Sequence, residues 1–192
     1  HILGICGTLM GSIALLAKQA GHNVSGSDEN VYPPMSDQLE QAGIELDSPY
    51  ALNSIPPNVD LVVIGNAGLS RGNPALEAVL NKKIPYCSGA EWIGRYILED
   101  RWVIAIAGTH GKTTTASMVA SILQEEGMSP GYLIGGIPSN LKKSANLGRS
   151  PYFVIEADEY DTSYFDHQSK FLHFRPQTLI INNIEYFRVM PT

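Results

Sequence analysis

Residues 108–114 have the types and the spacing of a loop that binds phosphate groups. They read Gly-Thr-His-Gly-Lys-Thr-Thr, after an apolar run at 102–107 and before a helical segment that begins at Lys112. Backbone N–H groups in a glycine-rich turn and the positive end of the following helix together hold the oxygens of a triphosphate. A lysine here reaches the phosphates, and the next hydroxyl can hold Mg²⁺. We therefore predict a nucleoside triphosphate site with contacts from Gly108, Thr109, His110, Gly111, Lys112, Thr113 and Thr114.

This loop departs from the common phosphate-loop pattern at one position. That pattern has a glycine five residues before Gly111, where this chain has Ile106. The loop is therefore shorter, with Gly108 as its first flexible residue. The loop still lies between an apolar strand and a helix, as a phosphate-binding loop does. We therefore interpret it as a phosphate-binding loop, with a structural turn as the alternative.

An acidic cluster follows a second apolar run, at 156–159. Glu156 is 44 residues after Lys112 and ends the run that starts at Tyr152. In a parallel sheet, the carboxyl ends of the strands meet at one edge, so a carboxylate here can complete a Mg²⁺ site. We predict Thr113 and Glu156 as the metal ligands. A solvated turn is the alternative for this cluster.

A second glycine turn lies near the start of the chain. Gly4, Gly7 and Gly11 follow the first apolar run and open a helical segment, and Asp28 comes 21 residues after Gly7. The placement resembles a dinucleotide-binding turn, but the glycine spacing differs from G-x-G-x-x-G. The pyrophosphate of a nucleotide-sugar suits such a turn equally well, with Asp28 near the ribose or uracil.

Strand-length apolar runs alternate with helix-length segments and would position these turns. The strands are predicted at 2–6, 60–64, 84–87, 102–107, 132–134, 152–155 and 178–182, and the helices at 13–20, 74–80, 91–98 and 112–124. Continuous apolar strands such as 61–64 indicate burial on both faces and a parallel sheet covered by helices. We predict an α/β chain with a Rossmann-like domain at 1–100 and part of a phosphate-loop domain at 101–192. Residues 138–150 are predicted to form an irregular, mobile loop.

Composition excludes several classes of partner. The 192 residues carry 13 Lys and Arg against 19 Asp and Glu, a net charge of -6, which argues against nucleic acid. Cys6 and Cys87 lie in apolar runs without metal-type spacing, so free, buried thiols in a reducing cytoplasm are expected. Neither a signal peptide nor a membrane span is predicted, and the oligomeric state is left open.

The two modules together resemble the Mur ligases of bacterial peptidoglycan synthesis. The likeness covers nearly the whole chain and is carried by residues 1–7, 24–28 and 104–112, with the later Glu-Ala-Asp-Glu at 156–159. The missing glycine at Ile106 is part of that likeness. The resemblance implies an enzyme that uses ATP and Mg²⁺ to activate the carboxylate of UDP-N-acetylmuramate as an acyl phosphate, which an amine then attacks to form an amide.

Two branches of this family act on UDP-N-acetylmuramate. Residues 31–36, 65–67, 70–74, 88–92 and 159–166 resemble the branch that attaches the recycled tripeptide L-alanyl-γ-D-glutamyl-meso-diaminopimelate. The alternative is the branch that adds L-alanine in new synthesis. The resemblance favours the recycling reaction.

The resemblance also implies roles for individual residues. Lys112, Thr113 and Glu156 would serve phosphoryl transfer, and His110 would line the muramate side of the loop or pack there for shape. The first module would hold the UDP-sugar through Gly7, Thr8, Leu9, Met10, Asp28, Asn66, Ala67 and Ser88.

The sequence departs from the family after Glu185. An Asp-His pair whose histidine is a second metal ligand is expected there, but residues 186–192 contain no histidine. A third domain that helps to bind ATP and receives the amino component is also expected, and this chain does not include it. The isolated segment is therefore predicted to be inactive. Two rival classes stay open from the sequence: a nicotinamide oxidoreductase and a nucleotide-gated binding module.

Overall fold

The computed structural model describes residues 1–51, 54–66, 69–158 and 161–184. These residues form two five-stranded sheets, each with helices against it, and a separate two-stranded hairpin. None of the helices in the described ranges is both long and apolar enough to cross a bilayer.

The first sheet is entirely parallel and is built from the first 88 residues. Its strands are β1 (Ile2–Leu3), β2 (Ser25–Ser27), β3 (Glu45–Asp47), β4 (Val62–Ile64) and β5 (Tyr86–Ser88), in the order β3-β2-β1-β4-β5. Its helices are α1 (Thr8–Gln19), α2 (Met35–Gln41), α3 (Pro74–Asn81) and α4 (Gly89–Tyr96). This strand order is that of a Rossmann-like sheet, in which the point where the order reverses, beside β1, opens a crevice for a ligand.

Local sequence explains where two of these helices begin. The Asn73 side chain accepts hydrogen bonds from the N–H groups of Ala75 and Leu76, and Pro74 occupies the first helical position of α3. The Ser88 hydroxyl accepts a hydrogen bond from the Glu91 N–H at 3.2 Å and so caps α4. Both caps stand directly after a strand or a turn and fix the direction in which the chain leaves the sheet.

The second sheet is parallel except at one edge. Its strands are β6 (Trp102–Ala107), β7 (Gly131–Leu133), β8 (Ala145–Asn146), β9 (Tyr152–Glu156) and β12 (Thr178–Ile181), in the order β12-β6-β9-β7-β8, with β8 antiparallel to β7. The antiparallel hairpin comprises β10 (Asp161–Ser163) and β11 (Asp166–Ser169). The helices are α5 (Lys112–Glu125) and α6 (Lys170–Phe174).

Register brings three chain segments to one edge of the second sheet. Ile106 of β6 is opposite Glu156 of β9, and Ala107 is opposite Ile181 of β12. The loop after β6, the end of β9 and the residues after β12 therefore meet at the carboxyl edge of the sheet.

The two sheets share buried apolar surface. A single cluster of buried side chains contains Ile13 of α1, Ile93 of α4, Ile155 of β9 and Phe174 of α6. The Ser12 hydroxyl also donates a hydrogen bond to the Ser144 hydroxyl at 2.9 Å in the buried region between the two halves. The domain boundary expected at residue 101 stays a prediction.

The α/β fold class with a Rossmann-like sheet is confirmed, and most predicted elements are present. Residues 138–150 were expected to form an irregular, mobile loop, and this is wrong for Ala145–Asn146, which form β8. Ser144 and Ala145 are fully buried against α1. The strand has only two residues, too few to produce an alternating pattern, and its order comes from tertiary packing.

Candidate functional site

The phosphate loop leaves β6 and enters α5 through two glycines with positive φ. Gly108 has φ +128° and Gly111 has φ +79°, values that disfavour side-chain-bearing residues. A Cβ at Gly108 would also lie 3.0 Å from the backbone oxygen of Asn183. The short loop therefore depends on glycine at both ends, although it lacks the earlier glycine of the common pattern.

The first turn of α5 supplies donors for an anion. The first N–H groups of any helix have no partner within it, and here they belong to residues at and just after Gly111. They also lie at the positive end of the helix dipole. The first turn of α5 contains no acidic side chain of its own that would repel a bound phosphate.

Lys112 lies over this loop and is largely shielded from water. Its Nζ donates a hydrogen bond to the Gly108 carbonyl oxygen at 2.7 Å and lies 3.5 Å from Asp158 Oδ1. Its side chain is 14% exposed. A partly desolvated ammonium interacts more strongly with a phosphate than one in open solvent does.

Thr113 and Glu156, the two residues predicted to bind a metal, are in contact. The Thr113 hydroxyl donates a hydrogen bond to Glu156 Oε2 at 3.3 Å, and Glu156 Oε1 accepts one from the Gly135 N–H at 2.7 Å. Burial raises the pKa of the Glu156 carboxyl, against the opposing effects of the Gly135 and Thr113 hydrogen bonds. A cation bound beside this partly buried carboxylate would stabilise its charged form and offset the cost of desolvation.

The described residues contain no group of three or more His, Cys, Asp or Glu side chains that could hold a metal. The donor set of Thr113 and Glu156 nevertheless fits Mg²⁺, which is commonly held by one or two protein oxygens together with substrate phosphates. The position at which the resemblance leads one to expect a histidine ligand falls in residues 185–192, which contain no histidine and lie outside the described part of the chain.

The other predicted loop residues lie where the loop meets β12. Thr109 and His110 direct their N–H groups at Asn183, and the His110 side chain is exposed. Thr114 is exposed and lines a cavity of about 330 Å³ together with Thr113 and residues 137–140.

Asn183 is a contact of the loop that sequence reasoning missed. Its Oδ1 accepts hydrogen bonds from the N–H groups of Thr109 at 2.7 Å and His110 at 3.1 Å. Its Nδ2 donates to the His110 carbonyl oxygen at 3.2 Å. Asn182 adds one longer bond, from Nδ2 to the same carbonyl at 3.3 Å. The Asn183 carboxamide thus braces the loop backbone through both its donor and its acceptor.

A second cavity lies at the glycine turn after β1. Its volume is about 560 Å³, and its lining includes most residues predicted to hold a UDP-sugar: Gly7, Thr8, Leu9, Met10, Asp28 and Asn66. Gly7 is the N-cap of α1, so the helix directs its free N–H groups into this region. Asp28 Oδ2 accepts a hydrogen bond from the Cys6 N–H at 2.8 Å, which holds the turn against the end of β2.

Of the remaining two residues predicted to bind the UDP-sugar, the structure describes only Ser88. Ser88 is buried, caps α4 and donates a hydrogen bond to Asp166 Oδ2 at 3.1 Å, and it does not line the cavity. Ala67 lies outside the described residues. Lys170, which no motif indicated, does line the cavity, although it belongs to the second half of the chain.

The two cysteines are free and buried, as expected. Burial raises the pKa of the Cys87 thiol to about 12. Burial also raises the pKa of Cys6, and the nearby Asp28 carboxylate adds to that effect. Thiolate chemistry is therefore disfavoured at both positions.

Two family models match this chain. Residues 1–101 match the model described as "Mur ligase family, catalytic domain", and residues 106–186 match "Mur ligase middle domain".

Individual proteins show the same similarity. An Escherichia coli (strain K12) protein named UDP-N-acetylmuramate--L-alanyl-gamma-D-glutamyl-meso-2,6-diaminoheptandioate ligase is 60% identical over 186 residues, which is 97% of this chain and 40% of that protein. A Psychrobacter sp. (strain PRwf-1) protein named UDP-N-acetylmuramate--L-alanine ligase is 37% identical over 185 residues, which is 96% of this chain and 37% of that protein. The chain thus spans about two fifths of the length of these curated relatives.

A solved structure shows the same arrangement. The crystal structure of UDP-N-acetylmuramate:L-alanyl-gamma-D-glutamyl-meso-diaminopimelate ligase from Neisseria meningitides is similar with a TM-score of 0.94 and 48% identity. The match covers 99% of this chain and 61% of that one.

Proposed function

The chain belongs to the Mur ligase family, and we propose that it is the nucleotide- and sugar-binding part of an ATP-dependent tripeptide ligase. The reaction would join UDP-N-acetylmuramate to L-alanyl-γ-D-glutamyl-meso-diaminopimelate in peptidoglycan recycling, in the cytoplasm. The observation that carries this proposal is the difference in identity: 60% to the E. coli ligase of that name and 37% to the L-alanine ligase.

In this proposal, ATP binds across the phosphate loop and the start of α5. The free N–H groups of the first helical turn and the Lys112 ammonium face the β- and γ-phosphates. Mg²⁺ would be held by the Thr113 hydroxyl and the Glu156 carboxylate together with phosphate oxygens. Thr113 Oγ1 and Glu156 Oε2 are 3.3 Å apart. When bound, it would neutralise charge on the phosphoryl group.

The UDP-sugar occupies the cavity of about 560 Å³ at the glycine turn. The start of α1, at Gly7 and Thr8, suits the diphosphate because its N–H groups and dipole favour an anion. Asp28 lies at the end of β2, where a carboxylate can accept hydrogen bonds from a ribose or uracil.

The chemistry proceeds in two displacements. A muramate carboxylate oxygen attacks the γ-phosphorus and ADP leaves, which gives an acyl phosphate. The peptide amine then attacks the acyl carbon, the C–O bond to phosphate breaks, the amide forms and a proton is lost from nitrogen. The protein supplies no covalent group. Lys112 and the loop amides stabilise charge in the first transfer, and the cavity orients the carboxylate.

Phosphate release by the full-length protein tests this proposal. Release from ATP should require UDP-N-acetylmuramate and an amine acceptor. Lys112→Ala should lower kcat at least about 100-fold, as loss of one charge-stabilising group does in other active sites. Binding of UDP-N-acetylmuramate should be unchanged, since Lys112 does not line the sugar cavity.

The matched control is Lys143→Ala, which removes an exposed lysine outside both cavities. It should retain wild-type release. Wild-type activity in Lys112→Ala would contradict the role of the loop, and release that ignores the UDP-sugar would contradict the ligase.

A further inference from the structure

Lys170 connects the sugar cavity to the second half of the chain. It is the first residue of α6, yet it lines the cavity formed by the glycine turn after β1 and by Asp28, Asn66 and Asn73. Its side chain is only 14% exposed. The cavity is therefore lined by a partly desolvated cation as well as by the turn where the diphosphate is expected.

Contacts on both sides of Lys170 fix its place. Before it in the chain, Asp166 accepts a hydrogen bond from the Ser88 hydroxyl at 3.1 Å, and Phe165 packs edge-on against Tyr86 with ring centroids 5.2 Å apart. After it, Phe174 is 2% exposed within the core shared by the two sheets. Lys170 is thus held by anchors in β5 and in the common core.

One carboxylate links Lys170 to the phosphate loop. Asp158 Oδ2 lies 3.5 Å from Lys170 Nζ, and Asp158 Oδ1 lies 3.5 Å from Lys112 Nζ. Each oxygen of Asp158 therefore faces one ammonium. Two ammonium groups thus share one carboxylate where the phosphate loop and the sugar cavity approach one another, while the neighbouring Glu156 carboxylate is engaged by Thr113 and Gly135.

The reaction requires an anion at this junction. The reacting carboxylate must reach the γ-phosphate that Lys112 is proposed to hold, while the rest of the sugar nucleotide stays in its cavity. The diphosphate has its own donors at the start of α1. The cation that lines the cavity and also shares a partner with Lys112 is Lys170.

We propose that Lys170 binds the reacting carboxylate of the sugar nucleotide, with Asp158 as the positioning residue that holds Lys170 and Lys112 towards each other. This inference rests on the proposed function. The bound carboxylate would lie between a cation of the sugar cavity and the phosphoryl group, in the orientation that attack requires.

Equilibrium binding to the full-length protein tests this assignment with two ligands. UDP-N-acetylmuramate carries the lactyl carboxylate, and UDP-N-acetylglucosamine carries the same diphosphate without it. Lys170→Met should weaken binding of the muramate about 10- to 100-fold, the range for a charge-assisted hydrogen bond. Binding of the glucosamine should stay within about twofold of wild type. The control Lys143→Met should change neither affinity.

Other outcomes overturn the inference. Equal weakening of both ligands would assign Lys170 to the diphosphate, and unchanged muramate affinity would remove it from the site. Thermal melting shows whether Lys170→Met is folded. The variant Lys170→Arg keeps the positive charge and should recover at least part of the affinity for UDP-N-acetylmuramate. No recovery in a folded Lys170→Arg would also contradict the assignment. A wild-type protein that binds neither ligand would instead refute the proposed function.

Discussion

Replacing Asn183 with alanine should weaken ATP binding without changing the binding of the UDP-sugar. The substitution removes three hydrogen bonds to the loop backbone, two accepted from Thr109 and His110 and one donated to His110. The hydrogen bond from the Thr109 N–H is partly buried, and the two hydrogen bonds with His110 are exposed. Water can form hydrogen bonds in place of the two exposed ones, so their loss costs little free energy. A net loss of about 1–2 kcal/mol follows.

That loss acts on the population of the loop conformation that binds phosphate. If the braced conformation becomes less favourable by about 1–2 kcal/mol, the apparent Kd for ATP should rise, by at most about 5- to 30-fold. Isothermal titration of the full-length protein with a non-hydrolysable ATP analogue measures this directly. Titration with UDP-N-acetylmuramate should give the wild-type Kd because Asn183 does not line the sugar cavity.

Asn182→Ala is the matched control, since it removes a single bond of 3.3 Å from the same strand end. It should change the ATP affinity by about twofold or less. Equal effects of the two substitutions would refute the brace. Tighter ATP binding in Asn183→Ala would also refute the bracing role of Asn183, because it would show that the carboxamide competes with phosphate for the loop N–H groups.

Three further results are expected. Glu156→Gln should abolish Mg²⁺-dependent phosphate release. It should also raise the melting temperature without ligand by an amount that grows as pH increases from about 4.5, because the raised pKa of Glu156 makes its charged form costly in the fold; a gain largest at low pH would contradict this. Cys87, with a pKa of about 12, should resist a thiol reagent at pH 8 until the protein unfolds; prompt labelling of the native protein would contradict its burial. The isolated chain should show no tripeptide ligation, and turnover would show that the segment is sufficient.

The edge of the second sheet that carries the phosphate loop was largely predictable because its signals are local in the sequence. The run at 102–107, the loop and the start of α5 are contiguous, and the length of the β9 run determines that Glu156 ends a strand. Register in a parallel sheet then brings Glu156 to the loop without information from distant residues. The roles assigned to Lys112, Thr113 and Glu156 stay predictions.

The contacts that cross the chain could not be predicted in the same way. Asn183 follows the loop by more than 70 residues, and its role depends on β12 pairing with β6. Lys170 reaches the sugar cavity because a hairpin of the second half packs on β5, which no periodic pattern encodes. The contact of Ser88 was also not predictable from local sequence. Ser88 was expected to bind the substrate, and in the structure it donates a hydrogen bond to Asp166 of that hairpin.

Acceptor selectivity of the full-length protein tests the central proposal most directly. Phosphate release should be measured with ATP, Mg²⁺ and UDP-N-acetylmuramate, with either L-alanyl-γ-D-glutamyl-meso-diaminopimelate or L-alanine as the acceptor, and the amide product identified by mass. We predict rapid turnover with the tripeptide and little with L-alanine. Strong turnover with L-alanine alone would contradict the recycling function, and turnover with neither acceptor would contradict the ligase.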